Sequence, residues 1–264
     1  MSIPLFLAMT ATDFSFTRKK PEQLAWMSVH FSQSNGCLSN LPPSLPPGSL
    51  IILDDQIPWN DHDLERICQC LTRLLVRDRS YGLLLDFERE PCQETLTLAK
   101  ALTQCCLGIG CRIAMPRSYL TEGAACFCPP IPCNESWSEK DFSGGPVWLD
   151  VTPTAVLAEI SSKGVRIDPA DPRELNGWAK NNSVFRDPTL GCFYHSYREG
   201  ECVRVSLFDT PQTVWDKLQS PDPRIQLAIT PWREFSDPKW YTPSMSTRDM
   251  EDVFAEKDES PKTN

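Results

Sequence analysis

Apolar residues in this chain fall into short unbroken runs, separated by stretches where they recur every three or four positions. Residues 50–53 and 82–85 are such runs, and 111–115 (CRIAM) is a third strand-like segment. They lack the alternation of a half-exposed strand, which predicts strands covered on both faces. Between the first two, Leu64, Ile67, Cys68, Leu71, Leu74 and Leu75 share one helical stripe, with Asn60 or Asp61 available to cap it. A second helix is expected over 92–107, with Leu98, Leu102 and Cys105 inward and Gly108 placed to end it. Strand, helix, strand, helix, strand with short links is the pattern of parallel βα units.

The flanks are less regular. Residues 1–21 read as a mixed leader, and 23–31 (QLAWMSVHF) as a first strand. A proline-stiffened loop covers 41–49, and 129–145 reads as loop. Residues 147–151 form a strand ending at Asp150. Thr152-Pro153 can open a helix running to Ser161 and closed by Gly164, with a hairpin as the competing reading. Residues 168–191 are rich in Pro, Asp and Asn and read as loop. A hairpin follows over 192–208, turning at Arg198-Glu199-Gly200-Glu201. Asp209 or Thr210 caps a helix over 211–219, and 225–230 is a last strand before Pro231-Trp232.

Seven or eight strands in 264 residues fit a (β/α)8 TIM-type barrel of about 250 residues, with some helices missing or shortened. Residues 1–244 are read as that single domain, and 245–264 as an acidic tail expected to be disordered. An open doubly wound sheet is the other architecture with this element order. No glycine-rich phosphate loop follows any strand, so nothing supports a nucleotide fold.

Composition removes further classes. The net charge of −9 argues against nucleic acid and against anionic membrane surfaces as partners. The apolar stretch 3–9 is too short to span a membrane and lacks the charged start of a secretory signal, so the cytoplasm is the default location. Twelve cysteines are too few for a disulfide scaffold of this length. Cys126, Cys128 and Cys133 have metal-like spacing without a matched second half, and read as free loop thiols. No metal or cofactor is implied.

Candidate chemistry gathers at strand ends. In a barrel, sites form where strands reach the C-terminal face. Residues two apart share a face, so Gly82, Leu84, Asp86 and Glu88 point one way. Two carboxylates so close cannot both ionise cheaply, and a protonated carboxyl beside an ionised one suits glycosidic bond cleavage. Acids after strands also cap the helices that follow, which is the plainer role for Asp54 and Asp55 beside that of ligand contacts at the same rim. Asp150, Trp59, Arg117 and Tyr119 occupy comparable positions as candidate ligand contacts. His195, within a hairpin strand, reads as a packed or exposed histidine.

The run Gly82-Leu83-Leu84-Leu85-Asp86-Phe87-Glu88 resembles the end of the fourth-strand motif D-x-x-D-x-D-x-E of family 18 glycoside hydrolases. It is closest to the bacterial spore and cell-wall branch, where D-F-E is usual. The 192–208 hairpin, the Phe208-Asp209-Thr210-Pro211 helix start and the strand before Trp232 are similar to that family's closing segment. The strand at 111–116 (CRIAMP) resembles the one after the catalytic strand.

The resemblance implies a carbohydrate ligand containing N-acetylglucosamine and a substrate-assisted reaction. Glu88 would be the general acid, Asp86 would orient the 2-acetamido group, and Trp232 would floor the sugar. It also points to a spore association. Two departures stand out. Tyr81 and Leu84 occupy the motif's first two acidic positions, and Leu149-Asp150 stands where the family has a Tyr-Asp pair. These leave either an altered glycosidase or a barrel that binds without cutting, as a glycan-binding, protein-binding or structural surface protein.

Overall fold

The computed structural model describes residues 3–17, 21–32, 38–57, 64–136, 145–180, 182–219 and 222–236. Asn60, Asp61, Trp59 and the acidic tail lie outside the described residues.

Eight parallel strands close into a barrel. In chain order its elements begin with β1 (Leu5–Met9), α1 (Ala11–Phe16), β2 (Leu24–Phe31), a two-residue antiparallel appendage β3 (Leu38–Ser39), and β4 (Leu50–Asp54). Then come α2 (Leu64–Arg77), β5 (Gly82–Asp86), α3 (Gln93–Gly108), β6 (Arg112–Pro116), β7 (Ala125–Cys128) and β8 (Val147–Asp150). An insert follows, made of β9 (Ala155–Ser161), β10 (Gly164–Pro169), α4 (Pro172–Ala179), β11 (Phe185–Arg186), β12 (Phe193–Glu199) and β13 (Cys202–Phe208). The chain returns through α5 (Pro211–Leu218) to β14 (Ile225–Pro231) and α6 (Trp232–Ser236). Closure comes from β1, which pairs with β14 on one side and β2 on the other.

Alternation along the strands sorts residues into layers. Leu50, Ile52, Leu84, Ala114, Trp148, Leu227 and Ile229 fill the barrel interior. Ile51, Leu53, Leu83, Leu85 and Phe87 face outward and pack with Ile67, Leu71 and Leu75 of α2 and Leu98 and Leu102 of α3. Only α2 and α3 are long crossover helices among the described residues. After β6 the connection is a short 3-10 turn at Arg117–Tyr119. Trp148 is completely buried and reaches across the barrel to Gly82. A Cβ at Gly82 would sit 2.4 Å from the Arg112 carbonyl oxygen and 3.1 Å from the Trp148 ring. Glycine is therefore what lets β5 and its neighbours close around the indole.

Several expectations change. The supposed leader holds the first barrel strand, β1, so 24–31 is the second. Cys126 and Cys128 lie on strand β7 rather than on a loop, with their sulfurs 4.0 Å apart. Cys133 is buried and packs against Cys192. Residues 155–169 form the hairpin β9–β10, not a helix, because β13 pairs with β9 along its length and fixes it as a strand. Within 168–191, Asp171 caps α4 through the Arg173 N–H at 2.7 Å, and Pro172 occupies its first turn. The left-handed glycine after α3 is Gly110, at φ +73°, rather than Gly108.

The insert is a five-stranded antiparallel sheet, ordered β10-β9-β13-β12-β11. It is tied to the barrel by a buried ion pair. Lys217 Nζ on α5 donates to Asp209 Oδ1 at 2.8 Å, and both side chains are nearly inaccessible. The Thr213 hydroxyl donates to the same oxygen at 2.9 Å, and Thr154 reaches Oδ2 at 3.4 Å.

Candidate functional site

Three inward positions at the C-terminal ends of barrel strands carry aspartate. Asp54 follows Ile52 on β4, Asp86 follows Leu84 on β5, and Asp150 follows Trp148 on β8. Asp54 and Asp86 are register partners on adjacent strands. Each acid sits one inward step above the apolar interior. Glu88, two residues past the end of β5, is exposed at the rim. The sequence places Asp86 and Glu88 on one face; the alternation of Leu84 inward against Leu83 and Leu85 outward carries Asp86 inward.

Asp86 is the most perturbed of the group that remains half-buried. Burial raises its pKa from 3.8 to about 6, and the negative charges of Glu88, Asp150, Asp54 and Asp55 add to the rise. Burial also raises the Asp150 pKa, opposed by hydrogen bonds from Thr152. The Thr152 hydroxyl and N–H both donate to Asp150 Oδ1, at 2.6 and 2.8 Å. At mildly acidic pH the mouth therefore offers a protonated Asp86 carboxyl beside an exposed Glu88.

A pH-dependent stability follows from Asp86. In the unfolded chain its proton leaves near 3.8, and in the folded protein near 6. Between those values the unfolded state is ionised while the folded state still holds its proton, so rising pH favours unfolding. Above pH 6 the full penalty applies, up to about 3 kcal/mol. Asp86→Asn is expected to be more stable than wild type at pH 7–8, with the difference vanishing as pH falls toward 4. Urea titrations at a series of pH values check this.

Two neighbours build the site from behind. Asp55 points outward and accepts the Glu88 and Arg89 N–H groups, each at 3.0 Å. Its backbone carbonyl accepts Arg89 Nε at 2.9 Å. Asp55 thus fixes the turn that presents Glu88, which is neither helix capping nor direct contact. His30, at the end of β2, meets Asp54, with Nδ1 2.5 Å from Oδ1. Sequence reasoning missed His30. Its signal is a polar residue near the end of a largely apolar strand, but a register shift between Trp26 and Val29 hides the face it takes.

Other candidates are not brought to the acids. Tyr119 is wholly buried, its ring edge-on to Phe87 and its hydroxyl donating to the Arg89 carbonyl at 2.9 Å. It supports the Glu88 turn from the outer layer. Trp232, expected beneath the sugar, packs instead against the outer-layer clusters around Met9 and Val214. Arg117 is exposed beyond β6. Tyr81 lies in the interior against Phe6 and Trp148, below the acids, and bonds Arg112. His195 sits on the insert, edge-on to Trp178. Among the described residues, no group of three His, Cys, Asp or Glu side chains is arranged to hold a metal ion. No described helix is long and apolar enough to cross a membrane.

No family model matches the sequence, and no curated protein matches it. Solved structures do. A mutant class V chitinase from Nicotiana tobaccum, in complex with NAG4, aligns with TM-score 0.53 and 9% identity, over 88% of this chain and 94% of that one. A mutant GH18 chitinase from Cycas revoluta, in complex with (GlcNAc)4, aligns with TM-score 0.51 and 13% identity, over 86% and 94%. The Bacillus cereus spore cortex-lytic enzyme SleL aligns with TM-score 0.49 and 9% identity, over 87% and 70%. The chain is a (β/α)8 barrel. In particular, it has the fold seen in the GH18 chitinases, an identification of fold alone at these identities.

Proposed function

We propose that this protein hydrolyses glycans containing N-acetylglucosamine, using Glu88 and Asp86 in a substrate-assisted reaction. The observation that carries the reading is the pair itself. Asp86 lies at an inward position at the mouth of a chitinase-type barrel and holds its proton to about pH 6, and Glu88, exposed two residues on, adds its charge to that rise.

In the first step the 2-acetamido carbonyl oxygen bonds to the anomeric carbon as the glycosidic C–O bond breaks. Glu88, taking the proton that Asp86 holds, delivers it to the departing oxygen, which leaves Asp86 ionised. Asp86 accepts the acetamido N–H and stabilises the positive oxazolinium ring. Water then adds at the anomeric carbon, returns a proton to Glu88 and releases the sugar. Asp54 and Asp150 take over electrostatically where Leu84 replaces an acid, by crowding Asp86 from the sides rather than from below. The expected result is reporter release from a fluorogenic chito-oligosaccharide, fastest in mildly acidic buffer.

Leu84 and the Thr152-bonded Asp150 favour a second reading, a barrel that binds such glycans without cutting them. Saturable saccharide binding with no product formed distinguishes it from the first.

A further inference from the structure

The barrel closes on itself, but the insert leaves one long strand with a free edge. Among the described residues β10 bonds to β9 on one side only, at the end of the five-stranded sheet. Five of its six residues are exposed. The opposite edge, β11, is only two residues long. Unpaired edges of this length are templates for another strand.

Beside Arg166, Asp168 and Pro169, residues that guard an edge against indiscriminate pairing, this strand carries apolar side chains. Val165 stands opposite Ile160, and Ile160 opposite Val203. With Ile167, two positions on, they form an apolar stripe on one face of three strands. Their exposures are 64% for Val165, 51% for Ile167, 43% for Ile160 and 39% for Val203. On the other face of β10, Arg166 and Asp168 lie two apart and pair at 2.9 Å, both well exposed.

The backbone phase is set by the turn. Ser161 and Gly164 face each other across the two-residue link Ser162-Lys163. Residues flanking such a link exchange both hydrogen bonds, and the pattern then alternates. Gly164, Arg166 and Asp168 therefore bond inward to β9. Val165, Ile167 and Pro169 turn their backbone groups to the free edge, where the missing N–H of Pro169 is tolerated.

We propose that β10 pairs antiparallel with β10 of a second copy, centred on Ile167, joining two inserts into one ten-stranded sheet. In this register Ile167 exchanges both backbone hydrogen bonds with the partner's Ile167. Val165 faces the partner's Pro169 and donates its N–H to that residue's carbonyl, while its own carbonyl, opposite the proline nitrogen, stays with water. Each Arg166 faces the partner's Asp168, which places two cross-strand ion pairs on one face and a continuous apolar stripe on the other. Centring on Arg166 instead would oppose like charges and the wrong backbone phase. The arrangement is two-fold symmetric and closes as a dimer.

Sedimentation equilibrium of the full chain in reducing buffer tests this. The expected mass rises with concentration from 29.9 kDa toward twice that value. Arg166→Asp and Asp168→Arg alone each weaken dimerisation about tenfold or more, since each puts like charges opposite one another. The double swap R166D/D168R restores it. Ile167→Pro, which removes the central donor, leaves the protein monomeric. Far-UV circular dichroism confirms that each variant is folded. A wild type that stays monomeric at every concentration overturns the proposal. So does a dimer untouched by either single charge reversal, which would place the contact elsewhere.

Discussion

Glu88→Gln is expected to lower chito-oligosaccharide hydrolysis by about two to four orders of magnitude, the usual contribution of a positioned general acid. The amide keeps the size and hydrogen-bonding reach of the acid but has no proton to give. Glu88 is exposed, and its N–H stays with Asp55 at 3.0 Å, so the turn and the fold are left intact. Saccharide binding should therefore survive. The measurement is the initial rate of reporter release, paired with calorimetric binding of the same saccharide. If wild type turns over and the glutamine variant keeps its rate, the proton comes from elsewhere.

The largest loss of stability is expected at the joint between insert and barrel. Asp209→Ala removes the partner of Lys217 Nζ, whose side chain is 7% exposed, and strips an acceptor from Thr213. Breaking a buried pair from one side costs roughly 3–5 kcal/mol, because the remaining buried charge loses its counter-charge. Asp209→Ala/Lys217→Met removes both charges and is expected to recover part of that loss. Urea unfolding followed by tryptophan fluorescence reads both. Equal destabilisation in the single and double variants would mean that the pair itself contributes little beyond packing.

Elements buried on both faces were legible because their pattern has no competitor. Residues 50–54 and 82–86 are all apolar until the acid that ends them, and α2 and α3 supply the outer cover their periodicity promises. β1 has the same apolar character, but it is short and follows Pro4. What makes it a strand is pairing with β14, some 220 residues away. The β9 segment Ala155–Ser161 contains good helix formers, and only the ladder to β13 decides its state.

The site divides in the same way. The inward position of Asp86 followed from period-two counting along one regular strand, whose end lies two residues short of Glu88. His30 did not, because the register shift in β2 breaks the count just before it. Trp232 misled because it begins α6 straight after Pro231, so its ring turns into the outer layer. Asp55 was read as a cap, since nothing local ties it to the turn of the next strand, 33 residues on.

The most direct single measurement compares the rate of reporter release from a chitobiose conjugate with that from the matching cellobiose conjugate, using wild-type protein at pH 5–6. An acetamido group that attacks the anomeric carbon while Glu88 protonates the leaving oxygen predicts release from the first sugar and none from the second. Release from both at similar rates, or from neither, would contradict the account.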